Sequence, residues 1–280
     1  MKKIILSFGF LTLTSLSYGA PIIGGEVVTE GSAPGVFNIF TTEGSADKDS
    51  TCTASKIGAK YILTAAHCVY GKNPAAIGWS NASTVDLSDE KTELYGLHVK
   101  KMHIHPSYEL LGMNGESYKS NDIAIIEIDT TKGNYLKKFQ DLPEVQMDFN
   151  PVIPGQKLKA YGYGCEETGD LENPVSRKKS ADLVVQNFNS LYATCPELHP
   201  LIKQNAYPIY QAQFSTAAIA GGGDASVCEG DSGGPVLRDG KIVGVNSKYI
   251  IDQTSSTQDA YINLHSRMSQ VKSWVEGIVK

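Results

Sequence analysis

Gly230-Asp231-Ser232-Gly233-Gly234-Pro235 is the stretch on which the reading of this 280-residue chain turns. A nucleophilic serine needs a backbone that exposes its hydroxyl and leaves main-chain N–H groups free to hold an oxyanion. Small residues on both sides of Ser232 supply that, since glycine reaches φ > 0 and lets a carbonyl come close. Alone, the hexapeptide reads equally as a glycine-rich turn. Two further stretches give it weight. Leu63-Thr64-Ala65-Ala66-His67-Cys68 offers His67 as a base, and Asn121-Asp122-Ile123-Ala124-Ile125-Ile126 offers Asp122 to orient it.

In the order His, Asp, Ser, these stretches resemble the signatures of the chymotrypsin/trypsin-like serine protease family. The likeness runs from Ile22 to the C-terminal helix. The resemblance implies an all-β fold, two antiparallel six-stranded β-barrels with a C-terminal α-helix, the site lying in the cleft between the barrels. It implies Ser232 as nucleophile, His67 as general base and Asp122 as the group that fixes the imidazole tautomer. The backbone N–H groups of Gly230 and Ser232 would form the oxyanion hole. It also pairs Cys52 with Cys68 across the histidine loop. Cys228 sits where the family has a bridged cysteine, but Asp252 occupies the usual partner position. Cys165 or Cys195 then replaces that partner, with Cys165 favoured, or Cys228 stays free; with five cysteines, one thiol is left over.

Members of this family activate when proteolysis frees an N-terminal Ile whose ammonium meets the acid preceding the nucleophile. Here that makes Ile22 and Asp231 the activation pair. Pro21 stands before Ile22 in place of Lys or Arg, so trypsin-type activation is not expected. Cleavage after Gly19, followed by removal of Ala20-Pro21 by an X-Pro dipeptidase, is the expected route.

The rest of the chain is read from its own pattern. Short β-prone runs alternate with glycine, proline and asparagine. The clearest are 36–41, 51–55, 61–64, 97–102, 123–128, 157–161, 181–185, 235–237 and 241–246. Such spacing indicates a barrel or sandwich. Met268, Val271, Trp274, Val275 and Ile278 recur at three and four, which predicts an amphipathic helix packing on the second barrel. Residues 1–20 read as a secretory signal: Lys2-Lys3, an apolar run from Ile4 through Leu16, then Gly19 and Ala20. A variant reading ends the signal at 19 and makes Ala20-Pro21 a short pro-segment. Residues 22–280 form the protease domain. The apolar run is too short and too rich in Ser and Thr to remain as a membrane span, and no later segment is apolar enough. The expectation is an exported monomer, extracellular or periplasmic, whose partners are protein or peptide substrates and protein inhibitors. Loss of Lys2 and Lys3 takes the net charge from −5 to −7, which argues against nucleic acid. No cofactor or metal is expected. Cysteine and histidine lack zinc spacing, and Asp86, Asp89, Glu90 and Glu93 read as a solvated loop.

The resemblance also places a specificity pocket. Ser226 stands where trypsin-like members carry the selecting aspartate, followed by Val227, with Glu229 at the rim. Ser247 closes the pocket near the triad, Lys248 replaces the usual Trp, and Tyr249 replaces a wall glycine. A bulky wall shortens the pocket and favours small or medium apolar P1 side chains, as in elastase-type members. Asp259 at the base keeps a basic P1 open as the runner-up. Two rival readings fit the sequence less well. An esterase would carry a G-x-S-x-G elbow in an α/β chain, and that motif is absent. A catalytically silent binding module would lose a triad member, and none is missing. The remaining histidines, His98, His103, His105, His199 and His265, read as packed or surface residues.

Overall fold

The first barrel forms where β-branched and aromatic residues are densest, because such side chains fill a pleated, half-buried surface. The computed structural model describes residues 22, 24–41, 50–72, 75–108, 110–113, 116–119, 121–164, 175–187, 212–218, 225–252 and 260–280. Six strands close into a barrel in the order β10 (Ala124–Ile128), β4 (Tyr61–Thr64), β3 (Ser50–Gly58), β2 (Val36–Thr41), β5 (Ala76–Ser80) and β7 (Tyr95–Ile104). Its interior is keyed by Phe37, Trp79 and Phe139, whose rings meet edge to face with centroids 5.5 to 6.1 Å apart. β10 is buried along its whole length, so Glu127 within it needs a counter-charge. Lys60 (2.8 Å) and Lys100 (2.9 Å) both reach its Oε1.

Register in this barrel places two of the site residues. β10 runs antiparallel to β4 with Ala124 opposite Thr64. Asp122 lies two residues before that pair and His67 three residues after it, so the strand ends deliver both to one corner.

The second half is a seven-stranded antiparallel sheet: β1 (Glu26–Val27), β13 (Lys179–Val184), β11 (Lys157–Gly162), β15 (Pro235–Arg238), β16 (Lys241–Asp252), β17 (Ala260–Arg267) and β14 (Gln213–Ala218). The expectation of a second barrel needs qualification here. Among the described residues the sheet returns on itself only through a Val185–Thr216 bridge and a Gln186 N–H to Ser215 O bond (2.8 Å). Val185 N–H donates to Gln156 O and its carbonyl accepts Gly155 N–H, which continues the β13–β11 pairing and leaves Gln186 to reach β14 on the other side. Two small ribbons are also present among the described residues: β6 (Thr84–Asp86) with β12 (Val175–Arg177), and β8 (Leu110–Met113) with β9 (Glu116–Lys119).

Two short helices are described, α1 (Leu136–Asp141) and α2 (Met268–Ile278). The expected C-terminal helix is present and packs against β16 of the second sheet, and it also reaches the first barrel. Met268, Val271 and Val275 join a core that contains Ile242 and Val245 of β16 with the barrel's interior, and Trp274 meets His105 edge to face, with ring centroids 5.0 Å apart. The second sheet encloses a separate core of Ile22, Leu158, Phe214, Val236 and Val243.

Candidate active site

His67 lies in a single 3-10 turn, Ala66–Cys68, directly after β4. The Cys52–Cys68 disulfide ties that turn to β3. Asp122 sits just ahead of β10, after Asn121 at φ 47°, a left-handed conformation that asparagine tolerates better than most residues. The carboxylate takes two bonds from His67: Oδ1 accepts the backbone N–H (2.9 Å) and Oδ2 accepts Nδ1–H (2.7 Å). Ser247 Oγ donates to Oδ2 as well (2.7 Å), and Ser266 Oγ donates to the Asp122 carbonyl (2.9 Å). Asp122 is only 2% exposed. Burial alone would raise its pKa, but the hydrogen bond and charge of His67 and the Ser247 hydroxyl outweigh it, and the group lies below the usual range. With Nδ1 committed as donor, Nε2 is left as the basic nitrogen.

Ser232 and His67 line one cavity of about 420 Å3, with Val227, Glu229, Lys248 and Tyr249 also on its wall. No hydrogen bond joins Ser232 to His67, and such bonds commonly tighten only when substrate is bound. The turn around Ser232 depends on glycine. Gly230 has φ +91°, and a Cβ there would lie 2.9 Å from Gly164 Cα; at Gly233 a Cβ would overlap Thr64 Oγ1 and the Thr53 carbonyl. The N–H groups of Gly230 and Ser232 donate to no acceptor among the described residues. Both of the N–H groups expected to hold an oxyanion are therefore available.

Asp231 points the other way and is fully buried. It fills a space that exists because Gly162 and Gly164 lack side chains. Its oxygens accept N–H bonds from Gly164 and Cys228, each 2.8 Å. Burial pushes its pKa up to about 7, with those two N–H groups and the charge of Lys179 acting in the opposite sense. Ile22 is likewise fully buried, in the core of the second sheet.

The pocket residues divide. Val227 is buried on the cavity wall, Glu229 is exposed at its rim, and Lys248 and Tyr249 are half-buried along it. Ser247 also borders the cavity while holding Asp122. Ser226 is not among the described residues lining it. Its hydroxyl donates to Asn263 Oδ1 (2.7 Å) and is fully buried. Asp259 lies outside the described residues, as do Cys165 and Cys195. Cys228 is disulfide-bonded, so of the alternatives left open for it the free thiol is excluded.

Sequence reasoning did not find the polar relay behind Ser226. Asn263 Nδ2 donates to Thr216 Oγ1 (3.1 Å), and Thr216 meets His265 Nε2 (2.9 Å). His265 Nδ1 meets Asn246 Oδ1 (3.0 Å), and Asn246 Nδ2 donates to the Asp231 carbonyl (3.2 Å). Asn246 donates at its amide end, so its oxygen faces His265 and Nδ1 carries the proton. Burial depresses the His265 pKa to about 3 and keeps the ring neutral. No spacing signal marks these residues, because each is one polar position in a β run. Among the described residues, one group, Cys52, His67 and Cys68, has metal-like spacing, and both its sulfurs are in the disulfide.

Comparison with known proteins follows the same outline. A family model described as Trypsin matches residues 22–275. A chymotrypsin from Phaedon cochleariae is 23% identical over 259 residues, which cover 91% of this chain and 81% of that one. Mouse neuropsin, a serine protease expressed in the limbic system of the brain, superposes with a TM-score of 0.62 at 18% identity, covering 90% of this chain and 97% of its own. The scabies mite inactivated protease paralogue S-D1 superposes with a TM-score of 0.63 at 21% identity, covering 92% and 99%. No helix among the described residues is long and apolar enough to cross a membrane.

Proposed function

The chain belongs to the trypsin family, and from that membership we propose that it is an exported serine endopeptidase working through an acyl-enzyme on Ser232. Ser232 Oγ attacks the scissile carbonyl as His67 Nε2 takes its proton. The oxyanion settles against the N–H groups of Gly230 and Ser232. His67 then passes the proton to the leaving amine, and a water repeats the sequence to release the acid. One observation carries this reading: both Asp122 oxygens hold His67, leaving Nε2 as the basic nitrogen in a cavity shared with Ser232.

The finer reading is an elastase-like P1 preference. The pocket wall carries Val227 and Tyr249, and the Ser226 hydroxyl is already spent on Asn263. A basic P1, read by Asp259, is the alternative. Activation would follow when the Ile22 ammonium replaces the missing counter-charge at Asp231. The signal-like first 20 residues support export. The silent binding module remains the second reading, favoured by the absence of a Ser232–His67 hydrogen bond. The mite paralogue shows that this fold exists in a form named as inactivated.

A fluorophosphonate probe and a mixed peptide library decide between the two. Labelling and cuts after Val, Ala or Leu that vanish in Ser232→Ala support the protease with an apolar pocket. Cuts after Lys or Arg assign the pocket to Asp259. Neither labelling nor cuts, from protein starting at Ile22, supports the binding module.

A further inference from the structure

Thr53 follows Cys52 on β3, in the first barrel, and is fully buried. Each of its hydrogen-bonding atoms serves a segment that carries the site. Its N–H donates to Ser232 O (2.8 Å), and its carbonyl accepts Thr64 Oγ1 (2.9 Å), three residues before His67. Its hydroxyl donates to Gly230 O (2.8 Å) and accepts Tyr163 N–H (2.9 Å). The first two bonds use the backbone and would survive most substitutions. The last two require an oxygen on the side chain.

We propose that the Thr53 hydroxyl is a positioning residue for the oxyanion site, acting from the opposite barrel; the proposal rests on the protease reading above. Gly230 has no side chain to hold its backbone, and φ +91° is one of several angles a glycine reaches freely. That carbonyl belongs to the peptide unit joining Gly230 to Asp231, whose N–H donates to Cys228 O (3.1 Å), and rotation of this unit shifts the turn that carries both oxyanion N–H groups. A hydrogen bond on the carbonyl resists that rotation. The direction of the bond is itself fixed. Because Tyr163 N–H occupies one lone pair of Oγ1, the hydroxyl proton is turned toward Gly230 O. Tyr163 lies between Gly162 and Gly164, the two residues against which Asp231 rests. One hydroxyl thus links the Asp231 enclosure to the oxyanion turn, and an isosteric Val would set a methyl against both a carbonyl and an N–H.

The test compares Thr53→Ser, Thr53→Ala and Thr53→Val in protein that starts at Ile22, with active sites counted by fluorophosphonate titration. In the Val and Ala variants, kcat per site should fall about 10- to 100-fold with KM within about threefold. That is less than the roughly 10²–10³ that follows direct loss of an oxyanion donor. Affinity for a peptide boronic acid, which fills the oxyanion site, should fall by the same factor, while affinity for the peptide product holds. Thr53→Ser should restore both. A folded Ala or Val variant with wild-type kcat overturns the proposal. So does a kcat loss matched by product-peptide affinity, and so does failure of both variants to fold, since the hydroxyl then serves stability. Unsubstituted protein that neither labels nor turns over removes the protease reading and the proposal with it, and that control separates this outcome from the others.

Discussion

Asp231→Asn should stabilise or destabilise the protein according to whether residues 1–21 are still attached. In the full-length chain Ile22 contributes an amide, and the buried Asp231 carboxylate is held by two N–H groups and the more distant charge of Lys179. Its folded pKa of about 7 stands above the model-peptide value of 3.8. Below pH 4 both states are protonated and the shift has no effect. Between pH 4 and 7 the unfolded chain loses its proton while the folded one keeps it, so stability falls as pH rises and levels off above 7. At about 1.4 kcal/mol per unit over roughly three units, the decline approaches 4 kcal/mol. Asn abolishes that slope but turns its amide against Gly164 or Cys228 N–H, at about 1–3 kcal/mol. The full-length variant should be the more stable form at pH 8, by about 1–3 kcal/mol, and the less stable at pH 4. Protein starting at Ile22 should behave oppositely at pH 8. There the ammonium pairs with Asp231, and the substitution should cost about 3–5 kcal/mol. Urea unfolding of both forms between pH 4 and 8, in a Ser232→Ala background to prevent autolysis, measures all four curves. Parallel pH slopes for Asp and Asn, or one sign in both forms, would refute the reasoning.

Other perturbations test separate parts of the site. Ser247→Ala removes one hydroxyl from Asp122 Oδ2, so kcat/KM at neutral pH should fall about tenfold and its acid limb should move to higher pH, read from a pH–rate profile. Replacing Cys52 and Cys68 together opens a link spanning 16 residues and should cost about 3 kcal/mol in urea unfolding. Lys178 is buried against the carbonyls of Ser32, Ala33 and Asn81, and burial depresses its pKa to about 8. Between pH 8 and 10.5 the unfolded state therefore binds the extra proton and stability rises with pH. Lys178→Met should flatten that rise in alkaline unfolding curves.

Much of the architecture is legible in local pattern. The runs at 36–41 and 61–64 are strands with those bounds, and the three-and-four spacing from Met268 to Ile278 is a helix of that length. The disulfide at Cys52 and Cys68 is present as the family resemblance implied. β17 lies outside the runs read as strands, and within it Asn263 and His265 are buried as deeply as Ile262 and Leu264, which alternation alone does not foretell. The helix packs on the second sheet's β16 as expected, but its reach into the first barrel's core was not legible, because amphipathic spacing states that a face is buried, not how many elements share it.

The sequence by itself determined which residues could do chemistry and which backbone conformations the chain adopts, because periodicity, glycine and motif spacing act over a few neighbouring residues. Only the tertiary structure decided how polar atoms are shared: Ser247 on Asp122 across 125 residues, Thr53 on Gly230 across 177, and Ser226 turned inward to Asn263. Each of these bonds exists because two distant segments bury the same space, and every polar group enclosed there must find a partner within it.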